Sequence, residues 1–365
     1  MIQHSDHFHG SDLEKIEKIY GIPREKIVSF SANVNPLGLS ERLRNELAGH
    51  LDVITGYPDR EYVSLRRTIA DYCGTEYEHV IVGNGSTELI SLFIQIAHPR
   101  KALIVGPTYS EYEREVSLGG GTSLYFPLKE KDDFKLDCDK LMEQLNESID
   151  LLILCNPNNP TSTCVSRQTM RSILDICKQN DIFVMVDETY IEFVEDYEKI
   201  NCVPLTQYYN NIIILRGISK FFASPGLRLG YALTGNQDLI KAINLRRNPW
   251  TINSLAEEAG RIMFSDNDYI DRTKELISSE RNRVKAALSA MDTLKVYEPS
   301  ANFILSRILK DDMNADILFD ACIREGMMIR NCCTFPFLDN KYFRICFMSP
   351  DMNDKLINVI RKTLG

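Results

Sequence analysis

From about residue 78 the chain alternates short, continuous apolar runs with amphipathic segments of helical length. The runs are HVIVG (79–83), KALIVG (101–106), LLILC (151–155), IFVMVD (182–187) and NIIILR (211–216). Because apolar and polar residues do not alternate within them, each predicts a strand covered on both faces. Such strands separated by helices predict a mostly parallel sheet. After Pro249 the pattern changes to a long helical region, 252–290, and then to short strand-like pieces: NFILSR (302–307), MMIRN (327–331) and KYFRICF (341–347). Residues 1–45 hold one helical segment, 11–20, and the extended stretch SFSANVNPLG (29–38). The expected fold class is α/β: a large domain, 46–250, with a mostly parallel sheet flanked by helices. A smaller α+β domain is expected from 1–45 together with 251–365.

With 365 residues the chain exceeds the size at which a single core stops growing, which agrees with two domains. The net charge of −9 gives no basic footprint for nucleic acid or an anionic membrane, so any bound phosphate must be held by a local device. No run of eighteen apolar residues occurs, and MIQHSDHFHGSDLEKI lacks the apolar core of a signal peptide; a cytoplasmic location is expected. The ten cysteines are scattered without a C-x-x-C pair and read as reduced thiols. His4, His7 and His9 lack a companion ligand set, so no metal is expected.

In a parallel sheet, ligands gather at the carboxyl ends of the strands, and four motifs fall there. VIVGNGSTELI (80–90) ends a strand in a glycine turn and opens a helix, whose free amides suit an anion; a simple capping box reads equally well. IFVMVDETY (182–190) runs into Asp187, a carboxylate that needs a positive partner or serves as a helix cap. CNPNNPTS (155–162) is at least a turn. GISKFFASPGLRLGY (217–231) sets Lys220 among Ile218, Phe221 and Phe222. There the amine either snorkels to water or, desolvated, becomes a nucleophile.

NPNNPT, DETY and SKFFASPGLRLGY, in this order, resemble the signature of pyridoxal-phosphate enzymes of fold type I, the aspartate-aminotransferase fold, over essentially the whole chain. The resemblance implies pyridoxal 5'-phosphate bound covalently by Lys220, with Asp187 on its ring nitrogen, Asn159 and Tyr190 on its phenolic oxygen, and Tyr109 stacked on its face. It implies a phosphate site of Gly85, Ser86, Thr87, Ser219 and Arg228. It also implies a homodimer in which Tyr57, in GYPDREY, reaches the neighbouring subunit's phosphate.

A narrower set of segments, among them HG (9–10), SFSANVNPLG, GNGSTELI and IRNCCTFPFLDNKYFRI (329–345), resembles the L-threonine-O-3-phosphate decarboxylases, relatives of the histidinol-phosphate aminotransferases. Carried over, His9, Gly10 and Asn33 line the substrate phosphate, and Arg330 and Arg344 hold its carboxylate; a surface strand pair is the plainer reading of the two arginines. The sequence departs from that family in HGS (9–11), in NPTS for the common NPTG, and in DETY, whose Tyr190 is the aminotransferase residue. The expected function is a pyridoxal-phosphate-dependent decarboxylase of a small phosphorylated or phosphonate amino acid, with a histidinol-phosphate-type aminotransferase as the alternative. A ligand-sensing module on the same fold is a third reading, disfavoured by the complete set of Lys220, Asp187 and Arg228.

Overall fold

A computed structural model describes residues 12–365. Its central sheet has seven strands: β1 (Val80–Asn84), β2 (Lys101–Gly106), β3 (Thr122–Pro127), β4 (Leu151–Cys155), β5 (Phe183–Asp187), β6 (Ile212–Gly217) and β7 (Leu229–Leu233), in the spatial order β1-β7-β6-β5-β4-β2-β3. The pairs from β3 through β6 are parallel, and β7 runs antiparallel to both β1 and β6. Successive residues of the apolar runs enter opposite layers. Val82, Leu152, Val184 and Ile214 pack into one core, and Ile81, Ile153, Met185 and Ile213 into the other. That two-sided burial is why the runs show no alternation.

Two strands escape the apolar pattern. β3 is an edge strand, with Thr122 exposed and only Phe126 fully buried, so its sequence TSLYFP lacks a continuous apolar run. β7, LGYAL, lies inside the motif that carries Arg228. It begins one residue after that arginine.

The helical region 252–290 is two helices, Ser254–Met263 and Asn267–Ser289. Each starts with a side-chain cap: Asn253 accepts from the Ala256 amide at 2.8 Å, and Asp266 from the Tyr269 amide at 3.3 Å. Next comes a four-stranded antiparallel sheet of β8 (Leu294–Val296), β9 (Phe303–Ile308), β10 (Arg330–Asn331) and β11 (Tyr342–Cys346), ordered β10-β11-β9-β8. In its register Arg330 lies directly opposite Arg344. The short strand Val28–Ser29 pairs in parallel with Met327–Met328, which joins the N-terminal segment to this C-terminal region. Among the described residues no helix is long and apolar enough to cross a membrane, and no His, Cys, Asp or Glu cluster could hold a metal ion.

Three glycines set the depth of the site. Gly83, Gly230 and Gly217 face one another across β1, β7 and β6. A Cβ on Gly230 would stand 2.2 Å from the Ser86 amide nitrogen, so only glycine lets the helix Gly85–Ala97 begin this close to the sheet.

Candidate active site

A cavity of about 860 Å³ opens at the carboxyl ends of β4, β5 and β6. Asp187, the last residue of β5, points a nearly buried carboxylate into it, 5% exposed. Three donors offset the cost of burying that charge. The Tyr112 hydroxyl donates to Oδ2 at 2.6 Å, while the Thr189 amide and hydroxyl donate to Oδ1 at 2.9 and 2.5 Å. Tyr112 is fully buried, and burial first, then Asp187 itself, pushes its phenol well above the ordinary range. The hydroxyl therefore stays a donor.

Lys220 sits in the turn after β6, and its chain neighbours Ile218, Phe221 and Phe222 are buried. Its Nζ lines the cavity and donates to the Ala32 carbonyl at 2.7 Å. Desolvation, with the nearby Arg344 cation as the next cause, pulls its pKa down to about 8. An amine so placed is partly neutral near physiological pH, the state a nucleophile requires.

At the other end of the cavity the helix Gly85–Ala97 starts with Gly85, Ser86 and Thr87 on the wall, facing Ser219 and Arg228. Glu88 folds back as in a capping box, accepting from the Asn84 amide at 2.6 Å and from Thr251 at 2.6 Å. Capping and cavity lining thus coexist in one turn. Arg228 has a left-handed backbone, φ +58°, and its guanidinium passes over Gly85, where a Cβ would stand 2.3 Å from Nη2. Free helix amides, the hydroxyls of Ser86, Thr87 and Ser219 and an arginine make a ready anion site.

The small sheet supplies another part of the cavity wall. Arg330 and Arg344 are each 5% exposed and opposed across β10 and β11. Burial, then Arg344, lowers the Arg330 pKa, as expected where two cations share a wall. Arg330 donates to Thr334 Oγ1 at 2.9 Å and lies 5.2 Å over the Phe335 ring. Arg344 donates to Asn159 Oδ1 and, at 2.6 Å, to the Ser31 carbonyl; its Nε is buried without a partner, and it lies 5.2 Å over Phe303. Tyr109, edge-on to Tyr112 at 5.6 Å, has its phenol pushed up to about 12, chiefly by burial. Tyr190 is buried and its phenol likewise raised.

Every residue expected to bind the cofactor except Tyr57 lines this one cavity, as do Arg330 and Arg344. Asn33 does not. It stands behind Tyr190, donating to its hydroxyl at 3.3 Å, with φ +56° and a buried, unpartnered Oδ1. Tyr57 is 83% exposed and packs on Trp250 at 4.8 Å, away from the cavity. His9 and Gly10 lie outside the described residues. The sequence reading missed Tyr112, Thr189, Thr334, Phe335 and the carbonyls of Ser31 and Ala32. Thr189 adjoins Tyr190 and Tyr112 lies three residues from Tyr109, which is a weak signal; a backbone carbonyl has none.

A fold of this topology, with a desolvated lysine, a buried carboxylate and a helix start around one cavity, is that of a fold type I pyridoxal-phosphate enzyme. The chain matches the family model described as aminotransferase class I and II over residues 25–360, and it belongs to that family, whose cofactor is pyridoxal 5'-phosphate. It is 32% identical to a threonine-phosphate decarboxylase of Salmonella typhimurium, over 98% of this chain and 96% of that protein. Among solved structures it resembles a histidinol-phosphate aminotransferase from Clostridium acetobutylicum, with a TM-score of 0.86 and 30% identity over 91% of this chain and 98% of that one. It also resembles an L-threonine-O-3-phosphate decarboxylase from Porphyromonas gingivalis, with a TM-score of 0.80 and 25% identity over 91% and 97%.

Proposed function

We propose that this enzyme decarboxylates a small amino acid bearing a phosphate or phosphonate, with O-phospho-L-threonine the nearest substrate. Pyridoxal phosphate, when bound, supplies an electron sink for the pair left as a bond to the substrate's α-carbon breaks. Lys220 Nζ is the amine that bonds it and later returns a proton to that carbon. Asp187 holds the ring-nitrogen proton, while Asn159 and Tyr190 serve the phenolic oxygen and Tyr109 the ring face. Gly85, Ser86, Thr87, Ser219 and Arg228 take its phosphate. Arg330 and Arg344 take the substrate's carboxylate, and His9 and Gly10 its phosphate.

The observation that carries this reading is the arginine pair. Two nearly buried guanidiniums opposed across adjacent strands repel each other, so an anion between them relieves both, and a carboxylate matches their planar donors. One observation favours the aminotransferase instead: Tyr190 retains its hydroxyl at the cavity wall. The deciding experiment offers O-phospho-L-threonine, O-phospho-L-serine and phosphonoalanine without any keto acid, and histidinol phosphate with 2-oxoglutarate. Carbon dioxide release supports the decarboxylase; glutamate formation without carbon dioxide from any of them rejects it.

The same reading assigns residues 46–250 to a cofactor-binding domain and 1–45 with 251–365 to a smaller one. It also makes the enzyme a cytoplasmic homodimer in which Tyr57 reaches the partner's phosphate site. Leu51, Ile54, Tyr57 and Trp250, exposed by 52%, 63%, 83% and 42%, form the apolar surface that supports such an interface.

A further inference from the structure

We infer that Ser162 is a positioning residue for the substrate's carboxylate, its hydroxyl setting the spacing between Asn159 and Arg344; this rests on the reading that Arg344 holds that carboxylate. Ser162 is fully buried and has φ +61°, a backbone that glycine adopts freely and serine rarely does. The conformation aims the side chain out of its own loop. Ser162 Oγ accepts from the backbone amides of Ser300 at 3.0 Å and Ala301 at 2.8 Å, and its carbonyl also accepts from Ser300 at 3.0 Å. The loop after β4 is thereby fastened to the segment that leads into β9.

The contacts close into a ring. Two residues past Ala301, Phe303 carries the Arg344 guanidinium over its face at 5.2 Å and meets Tyr190 edge-on at 4.9 Å. Between them, Asn302 donates to the Asn33 carbonyl at 2.9 Å. Arg344 then donates to Asn159, three residues before Ser162 in the same loop. Glycine at 162 would keep the loop's path, since the Ser162 amide still reaches the Asn158 carbonyl at 2.7 Å. It would leave the Ala301 amide without its acceptor and free the 300–303 segment to shift against Asn159. Such a shift alters where Arg344 points and leaves the phosphate cradle, on the far side of the cavity, untouched.

The test uses the loaded enzyme and reads the change in cofactor absorbance as amines are added. O-phospho-L-threonine and L-glutamate are the carboxylated probes; histidinol phosphate and 1-aminopropan-2-yl phosphate lack the carboxylate. Ser162→Gly should weaken the carboxylated probe that binds wild type by about fivefold or more while leaving carboxylate-free amines within about twofold. Its thermal stability should stay near wild type, because glycine relieves the left-handed backbone. Ser162→Ala keeps that strain and should lose both stability and carboxylate affinity. Unchanged affinities in a folded Ser162→Gly protein would overturn the proposal and leave Ser162 a structural staple. Arg344→Ala separates the two readings. If it too leaves carboxylate affinity intact, the assignment of Arg344 falls; if it loses affinity while Ser162→Gly does not, only the role of Ser162 falls. A wild type that responds to neither carboxylated probe overturns both.

Discussion

The Tyr112 hydroxyl donates to Asp187 Oδ2 at 2.6 Å across a sequence separation of 75 residues, and both groups are buried. With Thr189 loading the other oxygen, Asp187 is held from both sides and cannot rotate freely. Tyr112→Phe keeps the ring and removes one charge-assisted hydrogen bond, whose worth is about 1.5–3 kcal/mol. The apo chain should therefore bind pyridoxal phosphate about tenfold more weakly or worse, measured by absorbance titration. Affinity within twofold of wild type would show that Thr189 alone suffices. Asp187→Asn should go further, folding normally but losing turnover by far more than the few-fold that ~1 kcal/mol of barrier represents.

Lys220 gives the apo chain a pH signature. Its folded pKa, about 8, lies below the ordinary 10.5, so between those values the unfolded chain binds the extra proton. Stability then rises with pH across that window, and below pH 8 the full cost of burying the ammonium is present. Lys220→Met should make the apo protein more stable than wild type at pH 7, by roughly 1–3 kcal/mol because the amine faces the cavity and is partly screened. The advantage should shrink toward pH 10.5. Denaturant titrations at several pH values measure it, and a constant difference across the window would place the perturbation elsewhere.

Much of the site was legible because its chemistry is concentrated at strand ends, where a charge after an apolar run must have a purpose. Lys220, Asp187 and the helix start at Gly85 stand out at strand ends, and the resemblance to fold type I enzymes is what gives each a role. What was not legible depends on partners far along the chain. Tyr112 is three residues from Tyr109, inside the helix Glu111–Leu118, and only the fold reveals that it reaches Asp187. Asn33 was read as lining the substrate site, yet its amide is spent on Tyr190 behind the wall. The edge strand β3 and the motif-embedded β7 lacked the continuous apolar run that marks a strand buried on both faces.

Glu188, the neighbour of Asp187, turns the opposite way. Its Oε2 accepts from Arg216 Nη2 at 2.6 Å and Nε at 3.0 Å, with both side chains wholly buried. Its Oε1 accepts from the Cys202 amide at 2.8 Å. Arg216→Met should leave a buried carboxylate unpaired and cost about 3–5 kcal/mol. Arg216→Met with Glu188→Gln should recover part of that loss. Chemical denaturation tests both, and a double variant no better than the single would mean that packing around Arg216, not its charge, is what stabilises the fold.

Gly230→Ala should be among the most damaging small changes. Its Cβ would meet the Ser86 amide nitrogen at 2.2 Å and the Gly85 carbonyl carbon at 2.4 Å, both backbone atoms that cannot swing aside. The helix start must retreat from the sheet, taking the Gly85–Thr87 amides with it. Cofactor affinity should fall by about an order of magnitude or more even where the protein still folds. Gly226→Ala, with open space around it, is the control and should bind normally.

The exposed position of Tyr57 leads to a prediction that separates a shared site from a self-contained one. Within one chain the tyrosine is 83% exposed, packed against Trp250 and absent from the cavity wall. If it completes the partner's phosphate site, Tyr57→Ala and Lys220→Ala should each lose activity at limiting cofactor, and mixed dimers should regain it. In a mixed dimer one site carries both lesions. The other combines the intact Lys220 of one chain with the intact Tyr57 of its partner. Random exchange makes half the dimers mixed, so equal mixing should restore about a quarter of wild-type activity per chain. Mixtures left at the level of the separate variants, after exchange has been verified by size-separated tagged chains, would mean that Tyr57 serves its own chain or none.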